Sequence, residues 1–321
     1  MRIDIKEAAS LLLAQDNILI LCHISPDGDT LGSGYALCHA LHKLGKNARV
    51  HCEDVIPKMY SFIPDGVEVR YFKEDFVVAV DVADEKLLGN SAFREKYAGR
   101  VDLCIDHHGS NTNYAAKTCL EGNGSAAATA ETILLIIKEM GVEPDRDIAE
   151  CIYVGIATDT GCFRYSNTTS RSMRMAAEMI DVGIDRDSIN KLMFDTRTRT
   201  YNKLETLALS SLQMHYNGRC AILTITKEMF RQSGSNESES HPIKAIPRQI
   251  EGVLVGASMR EGEDGWHISV RTNAPASATD ICARMGGGGH LRAAGCTVQA
   301  SLSEAYELLL NSIGEELERI K

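Results

Sequence analysis

Short apolar runs alternate with longer amphipathic stretches through the first half of the chain. Ile18 to Cys22 and Phe76 to Val80 are continuously apolar, and Ala48–Cys52 and Val101–Ile105 are similar in length. Runs of this kind mark strands covered on both faces of a parallel sheet. Between them, residues 5–15, 31–44 and 129–140 carry apolar positions at helical spacing, with Gly45 placed as a C-cap. Residues 53–74, broken by Pro57, Pro64 and Gly66, are expected to be irregular. A further apolar segment, Ile148 to Ile156, follows the third helix, and Thr168-Thr169-Ser170 precede a helix over Arg171–Asp181. This alternation predicts an α/β protein with an N-terminal parallel sheet. Strands resume at Cys220–Ile225. Val253–Met259 and Trp266–Arg271 read as a hairpin around residues 261–265, and a short helix over Asp280–Met285 runs into four glycines. Residues 233–240 are polar enough for a mobile loop. The expected organisation is a first domain over 1–185, a helical connector over 186–215 and a smaller α/β domain over 216–321.

The chemistry lies where the apolar runs end. Ile18–Cys22 leads into His23-Ile24-Ser25-Pro26-Asp27-Gly28-Asp29, and Phe76–Val80 ends on Asp81. Val101–Ile105 leads into Asp106-His107-His108, and Ile148–Ile156 leads into Thr158-Asp159-Thr160-Gly161. Each alone has a plain structural reading: Asp-Gly is a common turn, Asp81 a helix N-cap, and the histidine pair a solvated loop. Together they are harder to dismiss, because the C-terminal ends of parallel strands lie along one edge, where ligands bind. Acceptor groups crowded there would repel one another and raise each other's pKa. Divalent cations offset that repulsion, and two of them roughly 3.5–4 Å apart share a bridging carboxylate and turn a water into a hydroxide nucleophile.

Composition narrows the classes. A chain of 321 residues with a net charge of −10 has no broad basic track for long nucleic acids. Its ten cysteines are scattered without a C-x-x-C pair, as expected of free thiols in a reducing cytoplasm. No membrane span is expected, and Asp4, Glu7 and Asp16 make the N-terminus unlike a signal peptide. A homodimer is compatible with the sequence, which assigns no oligomeric state.

Two later features bear on a ligand. Arg164, close behind Asp159, reads as a phosphate contact or a surface charge. Gly286 to Gly289 followed by His290 are either a tight helix-to-strand turn or a backbone cradle for an anion, with Arg292 and Arg271 nearby.

The ordered set His23-x3-Asp27-x-Asp29, Asp81, Asp106-His107-His108 and Thr158-Asp159-Thr160-Gly161 resembles the DHH phosphoesterase superfamily. Gly286-Gly287-Gly288-Gly289-His290 with Ala293-Ala294-Gly295 is similar to the GGGH motif of its DHHA1 domain. The chain's size is similar to that of the oligoribonuclease and pAp-phosphatase group rather than the larger RecJ exonucleases. The resemblance implies one metal on His23, Asp27 and Asp81 and a second on Asp29, Asp81, His107 and Asp159, with manganese usual and magnesium, cobalt or iron admissible. It leaves His108 for the phosphate or leaving group, with Asp106 orienting the pair. It favours Gly287, Gly288, Gly289 and His290 as contacts to the substrate, a short 5′-phosphorylated oligonucleotide or nucleotide, with Arg271 within reach of the same cleft and Arg164 a further candidate. The alternatives are an inorganic pyrophosphatase or exopolyphosphatase, and a nucleotide-binding regulatory module with a vestigial site.

Overall fold

The computed structural model describes residues 1–121 and 124–321. They form two units, Met1–Thr196 and Arg197–Lys321.

In the first unit the chain runs β1 (Arg2–Ile3), α1 (Ile5–Ala14), β2 (Ile18–Leu21), α2 (Gly28–Lys43), β3 (Ala48–His51), β4 (Phe76–Val80), α3 (Ser91–Tyr97), β5 (Leu103–Asp106), β6 (Lys117–Leu120), α4 (Thr129–Glu139), α5 (Arg146–Asp159), α6 (Ser170–Asp181) and α7 (Arg186–Asn190). The sheet is parallel throughout, in the order β1-β6-β5-β4-β2-β3. From β2 the chain steps outward to β3, then crosses to the other side for β4. The C-terminal ends of β2 and β4 therefore flank a topological switch point, the usual ligand crevice of such sheets. Alternate residues of β2 serve different cores: Ile18 and Ile20 pack with α1, α2, α4 and α5, whereas Leu19 and Leu21 pack with Leu88, Tyr97 and Val101 on the opposite face. That two-sided burial is why these strands read as unbroken apolar runs.

Ile148–Ile156, grouped with the strand ends by its sequence, is instead most of the helix α5. Asp145 caps it, with Ile148 N donating to the Asp145 carboxylate at 3.2 Å. Every residue from Cys151 to Ala157 is buried, because α5 lies among α2, α4 and α6. A helix enclosed on all sides loses its polar stripe and cannot be told from a buried strand by periodicity.

The packing of α5 on α2 is close enough to need glycine. A Cβ on Gly32 would lie 2.3 Å from the Cys151 carbonyl oxygen, and one on Gly155 would lie 2.5 Å from the Ala130 Cβ and 2.8 Å from Asp29 Oδ1.

The second unit comprises α8 (Arg199–Ser210), β7 (Gln213–His215), β8 (Cys220–Ile225), α9 (Lys227–Ser233), β9 (Val255–Glu261), β10 (Trp266–Thr272), α10 (Ala278–Ala283), β11 (Gly288–His290), β12 (Ala293–Val298) and α11 (Leu302–Arg319). Its mixed sheet runs β11-β12-β10-β9-β8-β7, with only β8 and β9 parallel among its pairs. The stretch expected to join the domains divides between the units: α7 belongs to the first, while α8 lies on the second sheet, with Leu204 and Ala208 against Leu223 and Ile225. The polar segment expected as a mobile loop contains a short 310 helix, Glu237–Ser240, closed by a capping box between Asn236 and Glu239. Among the described residues all ten cysteines are free, and no helix is long and apolar enough to cross a membrane.

A Gly32→Ala variant tests the α2–α5 contact. Helix propensity favours alanine by up to about 1 kcal/mol, but the methyl meets a backbone oxygen that cannot rotate away. A net loss of about 1–3 kcal/mol in urea unfolding is expected; an unchanged or raised midpoint would show that the helices have room to separate.

Candidate functional site

The switch point gathers side chains from five elements. Asp27 is the N-cap of α2, its Oδ1 accepting from the amides of Asp29 at 3.0 Å and Thr30 at 3.1 Å. The helix thus begins at Gly28, earlier than expected, which puts Asp29 in its buried first turn. Asp81 follows β4 at φ +60°, a left-handed conformation rare outside glycine; its amide donates to the Ile105 carbonyl at 2.9 Å. Asp106 ends β5, and Asp159 ends α5.

The two histidines that face this cluster are oriented by backbone carbonyls. His23 Nδ1 lies 2.7 Å from the Ile24 oxygen and His107 Nδ1 lies 3.1 Å from the Ala126 oxygen. With Nδ1 of each ring on a carbonyl, Nε2 is the nitrogen turned toward the carboxylates, the usual orientation of a metal-binding imidazole. His23 Nε2 is 3.6 Å from Asp27 Oδ1 and 3.5 Å from Asp81 Oδ2. His107 Nε2 is 3.2 Å from Asp159 Oδ2, 3.6 Å from Asp81 Oδ1 and 4.0 Å from Asp29 Oδ2. Buried His107 Nε2 has no hydrogen-bond partner. Crowded carboxylates facing imidazole nitrogens, one of them buried without a partner, are the donor set a cation would satisfy, so the residues fit a metal. His23-Asp27-Asp81, Asp29-His107-Asp159 and Asp81-His107-His108 each place three donor atoms within 4.8 Å of one another.

His108 is disposed differently. Its Nδ1 lies 2.8 Å from Asp106 Oδ1, which also accepts from the amides of His107 at 2.8 Å and His108 at 3.3 Å. Asp106 Oδ2 accepts from Asn111 Nδ2 at 2.6 Å. The His108 side chain is 43% exposed, against 3% for Asp81. The hydrogen bond to Asp106 pushes the His108 pKa up to about 9, against burial and with help from the charge of Asp81. Asn111 is a site residue the sequence reading missed, since an asparagine in a polar loop carries no distinguishing signal.

The electrostatics reflect the crowding. Burial, followed by repulsion from Asp81, Asp159 and Asp27, raises the Asp29 pKa well above the carboxylate range. Burial and the charges of Asp81 and Asp27 raise Asp159 to about 8. Burial disfavours charge on His23, but the Asp27 and Asp81 carboxylates facing its Nε2 outweigh it and push the pKa to about 11. The facing His23 imidazole in turn lowers Asp27 despite its burial.

In the second unit the candidate residues fall on one sheet face. Arg271 pairs with Gly256, four residues from Arg260 on β9, so both arginines point the same way. Ser269, Ser258, Ala293, Gly295, Gly288 and His290 occupy the same face by register. A 310 segment, Pro242–Gln249, packs on β9, where a Cβ on Gly256 would lie 2.3 Å from the Arg248 nitrogen. It brings Lys244 and Arg248 to the arginines. Burial, then Arg260 and Arg271, lower the Lys244 pKa, and burial, then Arg248, lower that of Arg271. Arg260 is paired with Glu237, yet its buried Nε has no partner. Lys244, Arg248 and Arg260 were not picked out by sequence, because only strand register brings them together with Arg271.

The glycine run is a helix-to-strand turn opening into the β11–β12 hairpin. Gly287 would place a Cβ 2.3 Å from the Gly295 oxygen, and Gly289 sits at φ +143°, whereas Gly288 faces open space. His290 is exposed. Arg164 is exposed in the first unit, its Nε donating to the Gly161 carbonyl at 2.7 Å.

Comparison with known proteins places the chain among relatives. A family profile described as "DHH family, N-terminal domain" matches residues 17–156. The bifunctional oligoribonuclease and PAP phosphatase NrnA of Thermus thermophilus is 33% identical over 320 residues, covering 97% of this chain and 94% of the relative. The protein of the same name from Bacillus subtilis is 24% identical, covering 92% and 93%. Among solved structures, an exopolyphosphatase-related protein from Bacteroides fragilis superposes with a TM-score of 0.87 at 24% identity, covering 97% of this chain and 96% of that one. Exonuclease RecJ bound to manganese superposes with a TM-score of 0.56 at 15% identity, covering 96% and 94%.

The raised carboxyl pKa of Asp159 makes a prediction for the chelator-treated protein. The folded protein holds on Asp159, up to about pH 8, a proton that the unfolded chain loses near its usual 3.8. Stability therefore falls as pH rises through that window. Asp159→Asn should melt at a higher temperature than wild type in EDTA at pH 8, with the gap closing toward pH 5. A gap that is absent, or that widens on acidification, contradicts the repulsion.

Proposed function

The chain belongs to the DHH family, and we propose that it is a metal-dependent phosphoesterase that hydrolyses short oligoribonucleotides and removes a phosphate from nucleoside bisphosphates such as pAp. The observation that carries this reading is the placement of Asp81, whose Oδ2 faces His23 and whose Oδ1 faces His107. One carboxylate thereby serves two groups of ligands, His23-Asp27 on one side and Asp29-His107-Asp159 on the other. The relatives that align over nearly their whole length are named for these two activities.

Oxygen and imidazole donors suit manganese, with magnesium, cobalt or iron as substitutes. Two such ions, when bound, supply a hydroxide nucleophile and offset the charge of the phosphate. The chain's own part is to hold and to protonate. Asp81 keeps one oxygen toward each ligand group. Asp106 fixes the His108 ring through Nδ1 and leaves Nε2 free to give a proton to the departing oxygen. In the second unit, Arg271 and His290, on the same face with Ala293 between them and Gly288 two residues along β11, hold the nucleotide. Lys244, Arg248 and Arg260 extend that face, and Arg164 adds a charge in the first unit. The basic groups form a patch rather than a track, which favours short substrates.

The test is hydrolysis of a pApA-type dinucleotide, pAp and inorganic pyrophosphate by chelator-stripped protein with Mn2+ restored. Turnover of the first two and not the third is expected; cleavage of pyrophosphate alone would overturn the reading. In the same assay His107→Ala should lower bound metal, whereas His108→Ala should keep it and lose roughly 100- to 10,000-fold in rate. The reverse pattern would exchange the two roles.

Binding and chemistry separate by substrate size. Arg271→Ala and His290→Ala each remove a charge-assisted contact of about 1.5–3 kcal/mol, on the order of 10- to 150-fold in kcat/KM for the dinucleotide. Hydrolysis of bis-p-nitrophenyl phosphate, too small to use remote contacts, should change much less. Equal losses on both substrates would place these residues in the chemistry or in folding.

A further inference from the structure

The helix α4 starts without a cap of its own. Residues 126–128 are three alanines, and Ala128 at the N-cap position has no side-chain acceptor. The first amides of a helix need acceptors, normally a local Ser, Thr, Asp or Asn. Here the acceptor comes from a hundred residues earlier in the chain: Thr129 N donates to Asp29 Oδ2 at 2.6 Å and Ala130 N to Asp29 Oδ1 at 2.9 Å. The side chain of the same threonine turns the other way, its Oγ1 donating to Asp81 Oδ1 at 2.9 Å. Thr129 is fully buried, so no water competes for its hydroxyl.

We propose that Thr129 is a positioning residue that sets the rotation of the Asp81 carboxylate, so that each of its oxygens meets a different metal ion. The assignment rests on the metal reading above. A carboxylate turns easily about its terminal torsion, and the histidines that flank Asp81 stand 3.5–3.6 Å away. Thr129 Oγ1 is the side-chain donor within ordinary hydrogen-bond distance. It pins Oδ1 on the side of His107 and leaves Oδ2 toward His23. Because its amide holds Asp29 and its hydroxyl holds Asp81, one residue fixes the spacing of two carboxylates from different elements. The amide bond survives any change of side chain, so the hydroxyl can be tested alone.

Thr129→Val keeps the branched shape and removes the donor, whereas Thr129→Ser keeps the donor. Equilibrium dialysis against Mn2+ reads the metal directly. Wild type should take up two equivalents, and Thr129→Val should bind one of them about 10- to 100-fold more weakly. Melting in chelator should show the valine protein folded, and Thr129→Ser should restore wild-type uptake. The KM for the dinucleotide should hold while kcat falls with occupancy in the valine variant. Thr129→Ala is read in its place if the valine protein does not fold. Wild-type affinity at both equivalents in the variant lacking the hydroxyl, or a serine variant as weak as valine, overturns the assignment alone. A wild-type protein that takes up no Mn2+ overturns this assignment and the metal reading together.

Discussion

Carboxylates held a few ångströms apart inside a protein repel one another, and much of the first unit exists to hold Asp29, Asp81 and Asp159 together against that repulsion. The parallel sheet supplies the geometry, since β2 and β4 end side by side where the strand order reverses. Helix termini supply part of the compensation. Asp27 caps α2, and Asp29 caps α4 from outside, so both sit against partial positive charge. Asp159 has the opposite placement, at the C-terminal end of α5, where the helix offers partial negative charge. Its carboxyl pKa is accordingly far above the ordinary range, with burial the first cause and neighbouring carboxylates the next. A residue placed so unfavourably for its own charge is what the proposed metal reading accounts for.

The same region carries strain and close packing that stability alone would not select. Asp81 holds a left-handed backbone, which costs of order 1–3 kcal/mol for a residue with a side chain. The glycines at the α2–α5 contact weaken the helices they interrupt while letting the backbones approach, and Gly155 lies directly against Asp29 Oδ1. These features coincide at the cluster, as expected where function opposes stability.

Legibility followed from how each residue is surrounded. Strands buried on both faces appear as unbroken apolar runs, and the residues just after them, His23, Asp81, Asp106, His107 and His108, were readable as a converging set. The apolar pattern of α5 misled for the same reason: a helix enclosed by α2, α4 and α6 loses its polar stripe. Asp159 was found, but as a strand end rather than a helix end. The edge strand β1 and its neighbour β6 carry Arg2 and Lys117, so pairing rather than pattern defines them. Thr129 was invisible because its neighbours are alanines and its two partners lie far away in sequence. The basic face was half legible, since Arg271 and the glycine run stand near each other, whereas Arg260 joins them only by strand register.

The distribution of charge between the two units constrains how a phosphorylated ligand is selected. The first unit presents a carboxylate cluster that repels phosphate until cations offset it. The second presents Arg271, Arg248, Lys244 and Arg260 so close together that burial and mutual repulsion lower the pKa of Lys244 and Arg271. Each set is unfavourable alone and is relieved by charge of the opposite sign. A ligand that carries phosphate to the basic face relieves the second, and bound metal relieves the first, so the two requirements can be met independently. Long nucleic acid would have to find its remaining contacts on a chain with a net charge of −10, where its backbone meets repulsion instead of a continuing basic track. On the proposed reading, preference for short substrates needs no steric wall, because Lys244, Arg248, Arg260 and Arg271 form one compact cluster rather than a continuing track.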